Sequence, residues 1–342
     1  MPRPLVSVLM AARNAERCVG RAVSSVLRQS LDDLEILVVD DGSADATAEV
    51  VEEMARSDDR IRVLRRAAGR GQAAALNVAV AAARGRILAT LDADDEAEPD
   101  RLALQAGALQ GDRGLVLVGG AVQTWCDRHD RPGATWRYAR DDGDIRARTL
   151  FKSEHISGAM TLDRERIPAA DVRFDEGLRV GADWSLSIAA MRAGRVANLP
   201  DVVLRYRFHP GQLTSRMSDD LGSDSTRIRA ALLARAGIFP TDEEMRVHLA
   251  VSPCAYWPVG SHPLFRARRS TIRRDAAAWL ERLVPACASA GLAPEAALRA
   301  YAGEIRAAID AVIDQDDGEA ARAHACCPVA APAACLAPSP CR

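Results

Sequence analysis

At 342 residues the chain is longer than one hydrophobic core usually serves, so one large domain with a smaller annex is expected. Its 45 basic and 47 acidic residues leave a formal charge of -2, which excludes a global field able to gather nucleic acid or an anionic membrane. No run of about 18 apolar residues marks a membrane span, and Met1-Pro2-Arg3-Pro4 leads into a strand-like stretch without a signal-peptide layout. A cytoplasmic setting follows as the expectation, and Cys18, Cys126, Cys254 and Cys287 read as reduced thiols.

Leu5 to Met10 and Leu34 to Val39 are short Val- and Leu-rich runs, and between them Val19, Ala22, Val23, Val26 and Leu27 share one helical face. This β-α-β reading continues with a helix over Asp45–Arg56, a strand over Ile61–Leu64, a helix over Gln72–Ala83 and a strand over Arg86–Leu91. Strands apolar throughout, alternating with amphipathic helices, predict an α/β fold with a mostly parallel sheet and right-handed crossovers. A helix over Pro99–Leu109 and a strand over Leu115–Thr124 follow, and the Gly, Pro, Asp and Arg content up to Asp144 predicts a loop. A helix begins near Trp184 and a strand covers Val202–Phe208. Beyond Asp219 the segments Ser225–Ala236, Ile272–Val284 and Pro294–Asp314 predict a mainly helical C-terminal region. The chain divides on this reading into residues 1–218, 219–318 and an Ala/Pro-rich tail over 319–342 carrying Cys326, Cys327, Cys335 and Cys341.

In an open parallel sheet, ligands sit beyond the carboxyl ends of the strands, and here those ends are acidic. The second strand runs into Asp40-Asp41-Gly42-Ser43 with Asp45 and Thr47, and the fourth into Asp92-Ala93-Asp94-Asp95. Crowded carboxylates raise one another's pKa unless a cation or hydrogen-bond donors compensate. A divalent Mg or Mn is the simplest compensation, because hard oxygen ligands suit it and it can also hold the phosphates of a nucleoside diphosphate. Taken singly, Asp41 is equally a turn or helix-cap residue.

The ordered set Val6-Ser7-Val8-Leu9-Met10-Ala11-Ala12-Arg13-Asn14, Val38-Val39-Asp40-Asp41-Gly42-Ser43, Gly69 to Asn77, Gly85 and Asp92-Ala93-Asp94-Asp95 resembles family-two glycosyltransferases, whose fold is called GT-A. The resemblance implies that Ala11, Asn14, Asp41, Arg70, Asp92 and Ala93 meet the nucleotide, Asp41 at the base and Asp92 on the ribose side, with Asp94 on a metal bridging the diphosphate. Gly181-Ala182-Asp183-Trp184-Ser185-Leu186 resembles the segment supplying the family's catalytic base, making Asp183 the candidate to take the acceptor proton with inversion at the anomeric carbon. The alternative for Asp183 is a helix N-cap, and Trp184 is either a sugar-facing ring or a core residue. Arg205-Tyr206-Arg207-Phe208-His209-Pro210-Gly211-Gln212 resembles the loop that closes over the diphosphate. It implies His209 as a further metal ligand and Arg205 or Arg207 as phosphate partners. Position alone puts His155, near Ser157 and Gly158, on the acceptor side.

The expected activity is therefore inverting transfer from a nucleoside diphosphate sugar, UDP by family habit, to a hydroxyl of a glycan, lipid-linked or small-molecule acceptor. Two rivals stand beside it: a scaffolding protein that kept the fold and lost turnover, and a sugar nucleotidyltransferase, which Ala11-Ala12-Arg13-Asn14 disfavours for want of a basic glycine-rich loop. Gly69-Arg70-Gly71 lacks the full dinucleotide spacing and the phosphate-loop lysine. The helical region is expected to shape the acceptor site or support self-association. Its basic run Arg266, Arg268, Arg269, Arg273 and Arg274 is either a solvated face or a contact for an anionic acceptor or the inner leaflet.

Overall fold

The structure, a computed structural model, describes residues 3–67, 69–126, 130–209, 212, 218–253 and 263–314. Cys254, Pro210, Gly211 and the tail over 319–342 lie outside the described residues. The chain forms two compact units, Met1–Arg140 with His155–Gln212, and Asp141–Glu154 with Leu213–Arg342.

In the first unit β1 (Val6–Ala12), β2 (Leu34–Asp40), β3 (Ile61–Arg65) and β4 (Ile87–Thr90) pair in parallel in the order β3-β2-β1-β4. Every residue of β2 and β4 is buried, which is why these segments read as unbroken apolar runs. The links are α1 (Val19–Leu27), α2 (Thr47–Ala55) and α3 (Gln72–Ala82). The connections through α1 and α2 step one way across the sheet, and the connection through α3 steps back. Right-handed crossovers therefore place α1 and α2 on one face and α3 on the other. The reversal leaves a switch point between β1 and β4, the position at which such sheets bind ligands.

The sheet continues past β4 with shorter pairings. Following β5 (Glu96–Ala97) and α4 (Arg101–Gly111), β6 (Leu115–Cys126) is flanked antiparallel by β7 (Arg131–Trp136), then α5 (Asp142–Thr149) intervenes before β8 (Thr161–Asp163). After α6 (Ala182–Ala193), β9 (Arg195–Phe208) returns parallel to β6. The full order is β3-β2-β1-β4-β8-β6-β9-β5, with β7 on the flank of β6. The mostly parallel α/β sheet expected from the sequence is present. Two details differ from the expectation: the loop predicted up to Asp144 contains β7 and the start of α5, and β9 begins at Arg195 rather than Val202.

The second unit gathers α5 with α7 (Ser218–Arg235), α8 (Asp242–Ala250), α9 (Pro263–Ala267), α10 (Ile272–Ser289) and α11 (Glu295–Asp314). The unit thus draws in residues 141–154, ahead of the division expected at 218. His248 supplies one physical reason. Its buried ring donates from Nε2 to the Leu150 carbonyl at 3.0 Å, accepts at Nδ1 from Trp279 at 3.1 Å and stacks on Phe151 at 4.6 Å. Burial pushes its pKa down to about 3, so the neutral tautomer that makes both bonds is the one present at neutral pH. Thr241 and Glu244 close a reciprocal capping box at the start of α8.

Four of the five arginines in the basic run have protein partners. Arg268 pairs with Glu243 and Asp275, Arg273 with Asp310 and Asp314, Arg274 with Asp275, and Arg269 donates to the Val312 and Ile313 carbonyls. Cys18 and Cys287 are free thiols, but Cys126 is disulfide-bonded, so the expectation of reduced thiols fails at the end of β6. Sequence spacing carries no sign of that bond because pairing depends on spatial approach. Among the described residues no helix is long and apolar enough to cross a membrane.

Candidate active site

The loops after β1 and β2 are stitched to each other. Asn14 sits at φ 52°, a left-handed conformation that Asn tolerates; its amide donates to Ser43 Oγ and its side-chain oxygen accepts from the Ala44 amide, both at 2.9 Å. Ala15 N–H donates to Thr47 Oγ1 at 2.7 Å, and Asp45 accepts from the Glu16 and Thr47 amides. Much of the Asp40 to Thr47 motif is thus occupied in shaping the rim.

Asp41 is buried, and its carboxylate is filled by protein donors. Arg66 donates at 2.7 Å, the Gly71 amide at 2.8 Å and the Arg70 amide at 3.1 and 3.2 Å. A methyl group on Gly69 would lie 2.8 Å from the Asp41 carbonyl and against the Arg13 guanidinium, so only glycine lets this loop close over β2. Gly71, at φ 97°, then starts α3, and the next residue, Gln72, donates from Nε2 to Asp92 Oδ1 at 2.9 Å. Asp41 and Asp92, on loops after different strands, are joined through three consecutive residues. The sequence reading missed this role of Arg66 and Gln72, and nothing in their local pattern marks it.

Asp92 also accepts from Ser157 Oγ at 3.4 Å. The Ser157 amide donates to Asp183, so one serine at the end of the chain's return to β8 touches both carboxylates. Asp94 Oδ2 lies 2.9 Å from His209 Nε2, both side chains being partly exposed. Asp95 is buried, its Oδ1 accepting the Arg207 amide at 2.9 Å and its Oδ2 having no hydrogen-bond partner among the described residues. That amide bond ties the Asp92–Asp95 segment to the strand end carrying His209.

The electrostatics are those of one acidic cluster. Burial, then Asp94 and Asp183, push the Asp92 pKa up to about 7. Burial also raises Asp183, against amide hydrogen bonds from its own helix start and Ser157, and raises Asp95 well above the ordinary value with help from Asp94 and Asp92. Arg101, buried beneath them, spends its guanidinium on the carbonyls of Thr90, Gly158 and Met160 and on Gln105. It therefore steadies the floor of the cluster more than it neutralises it. The N-cap position of α6 is held by Gly181 at φ 83°, and Asp183 lies in the first turn, where its carboxylate also accepts amides of its own helix start.

Other sequence candidates fall away from the cluster or are already engaged. Trp184 is buried in α6, as a core residue. His155 is buried, with Nδ1 at 2.8 Å from Ser187 Oγ and its pKa pushed down to about 4 by burial; a ring so enclosed cannot line an acceptor site, which corrects that expectation. Arg207 is buried against Glu96 at 3.1 Å, while Arg205 faces Glu96 and Glu98 and lies 4.7 Å over the Trp125 ring. Both guanidiniums thus face acidic protein partners, Arg207 more closely than Arg205. Arg70 is different: its side chain is exposed and lies 3.5 Å from Glu176. Ala11 is half-buried at the end of β1 and Ala93 buried between Asp92 and Asp94, so neither offers more than backbone groups.

A carboxylate oxygen and an imidazole nitrogen side by side, at an accessible rim, suit Mn or Mg. Among the described residues no group of three or more His, Cys, Asp or Glu side chains could hold a metal ion. A cation here would complete its shell with phosphate oxygens and water, the usual habit of Mg-type sites.

Residues 7–165 match the model for glycosyl transferase family 2. Those residues are a family 2 glycosyltransferase domain. Among similar proteins, the succinoglycan biosynthesis protein ExoO of Rhizobium meliloti is 34% identical over 220 residues, covering 62% of this chain and 63% of that protein. An uncharacterized glycosyltransferase of Haemophilus influenzae is 25% identical over 233 residues, 66% of this chain and 72% of that one. In structure, Staphylococcus aureus TarS 1–349 in complex with UDP-GlcNAc aligns with a TM-score of 0.53 at 18% identity, over 90% of this chain and 89% of that chain. That likeness establishes the shared fold.

Proposed function

We propose that this glycosyltransferase moves a sugar from a nucleoside diphosphate donor, with UDP as the carrier, to an acceptor hydroxyl with inversion, in glycan or glycoconjugate biosynthesis. One observation carries the reading: Asp92 and Asp183, remote in sequence, meet on Ser157 beside the Asp94–His209 pair, with no arginine or lysine among the described residues bonded to either of the two. Such a cluster is costly unless a cation and a phosphate group complete it.

Asp94 and His209 would hold a divalent Mn or Mg, which supplies charge neutralisation for the departing diphosphate. Asp92 takes the ribose side, held in place by Gln72. Asp41 organises the loop through Arg66, Arg70 and Gly71, and presents the exposed Arg70 guanidinium toward the donor. The acceptor oxygen forms its bond to the anomeric carbon from the face opposite the leaving group. The bond from that carbon to the diphosphate oxygen breaks, and the hydroxyl proton passes to the Asp183 carboxylate. Burial raises the Asp183 pKa, which makes its carboxylate a stronger base. Relatives named chondroitin synthase and hyaluronan synthase, each 37% identical over 115 residues but matched over only 12% of their own length, support a sugar acceptor without specifying one.

The test is Asp183→Asn, assayed for UDP-sugar binding by thermal shift with Mn and for transfer to a panel of acceptors. The reading expects donor stabilisation to remain and transfer to vanish. Loss of both together would assign Asp183 a structural role.

A further inference from the structure

The first unit carries a second polar groove, of about 500 Å³, lined by Arg86, Gln110, Arg113 and Arg166. Its place follows from topology. Arg86 immediately precedes β4, Arg113 precedes β6, and Arg166 follows β8, which runs antiparallel to both. All three arginines therefore sit at the edge where β4 and β6 begin, whereas the acidic cluster lies beyond the edge where β4 ends.

The groove is rich in positive charge. Asp163 pairs with both Arg86, at 2.6 Å, and Arg166, at 2.9 Å, and Glu165 pairs with Arg3 at 2.9 Å. Arg164 lies close enough to Arg3 to be depressed by it, after burial, and Arg113 is exposed with no ion-pair or hydrogen-bond partner among the described residues. Of the three arginines lining the groove, Arg86 and Arg166 share Asp163, Arg86 also lies 3.6 Å from Glu165, and Arg113 stands beyond these pairs. Arg166 is also fixed, its Nη1 donating to the carbonyls of Leu109, Asp112 and Leu115 at 2.7 to 2.8 Å, so one wall of the groove is rigid. The planar guanidinium of Arg113, beside two arginines that outnumber their shared Asp163, matches the oxygens of a phosphate group.

We propose that this groove binds a soluble phosphate-bearing anion, separately from the donor site and without a divalent metal. A membrane surface is the poorer fit, because among the described residues the exposed large apolar side chains are Val78, Leu104 and Phe239, none of which lines the groove.

Inorganic pyrophosphate titrated calorimetrically into the full chain in chelator tests this. Saturable binding is expected, weakened at least fivefold in Arg113→Ala and more in Arg113→Glu, both at an exposed position that leaves folding intact by circular dichroism. Asp94→Asn should bind as the wild type does. The proposal is overturned by absence of saturable metal-free binding, by indifference to Arg113, or by loss in Asp94→Asn, which would place the anion at the acidic cluster. Sedimentation with phosphatidylglycerol vesicles that depends on Arg113 while pyrophosphate fails to compete would also overturn it, in favour of a lipid surface.

Discussion

Carboxylates stand at both ends of the same sheet, and the fold treats them oppositely. Where β2 begins, Glu35 is buried, and burial pushes its carboxyl up; hydrogen bonds from Ser7, the Arg84 amide and Arg62 outweigh that and hold it below the ordinary value. Where β4 ends, Asp92, Asp95 and Asp183 are raised instead. Their hydrogen bonds come from neutral groups, Gln72, Ser157 and the Arg207 amide. The difference separates two uses of negative charge: at one edge it is neutralised within the protein and locks strands together, at the other it is left for something the chain does not itself contain.

The largest effect that would sharpen this contrast is on catalysis. Asp183→Asn should lower transfer by about a thousandfold, the scale of a lost general base, whereas Glu35→Gln should leave turnover per folded molecule within about twofold. Next, His209→Ala should weaken Mn affinity by about 10- to 100-fold, measured by Mn titration of activity, as for partners that tune a metal ligand. Third, Glu35→Gln should cost about 2 to 3 kcal/mol in denaturant unfolding, since it removes charged hydrogen bonds from a buried position.

The smallest effect concerns pH. A native carboxyl held at about 7 keeps a proton that the unfolded chain releases near pH 4, so this stabilisation is full below that range and is lost as pH rises toward 7. Metal-free protein should therefore melt on the order of 5 °C lower at pH 8 than at pH 5.5, and Mn with UDP should flatten the slope. A slope of opposite sign would break the contrast, because groups like Glu35 lose their contribution only in stronger acid.

How far the sequence reveals all this depends on where the information lies. Segments such as Leu34–Asp40 announce themselves, because burial on both faces demands an unbroken apolar run. In contrast, β7 contains Pro132 and Gly133 and is held by pairing with β6, while α5 offers only Ile145 and Ala147 among polar residues. Both depend on tertiary contacts that no local pattern encodes. At the site, Asp92 and Asp94 are legible because strand ends and acidic motifs coincide in sequence. Gln72, Ser157 and Arg66 act across 20, 65 and 25 residues respectively, so their partners emerge only once the chain is folded. Arg207 shows the converse: it follows the expected motif, and its pairing with Glu96 on the neighbouring strand has no local signal.

The most direct measurement is the affinity for UDP with and without Mn, in the wild type and in Asp94→Asn. Tight binding that requires Mn in the wild type, and weak binding indifferent to Mn in the variant, is the expected result. Equal affinity for UDP with and without Mn in the wild type would contradict the claim that the acidic edge is built around a cation and a diphosphate.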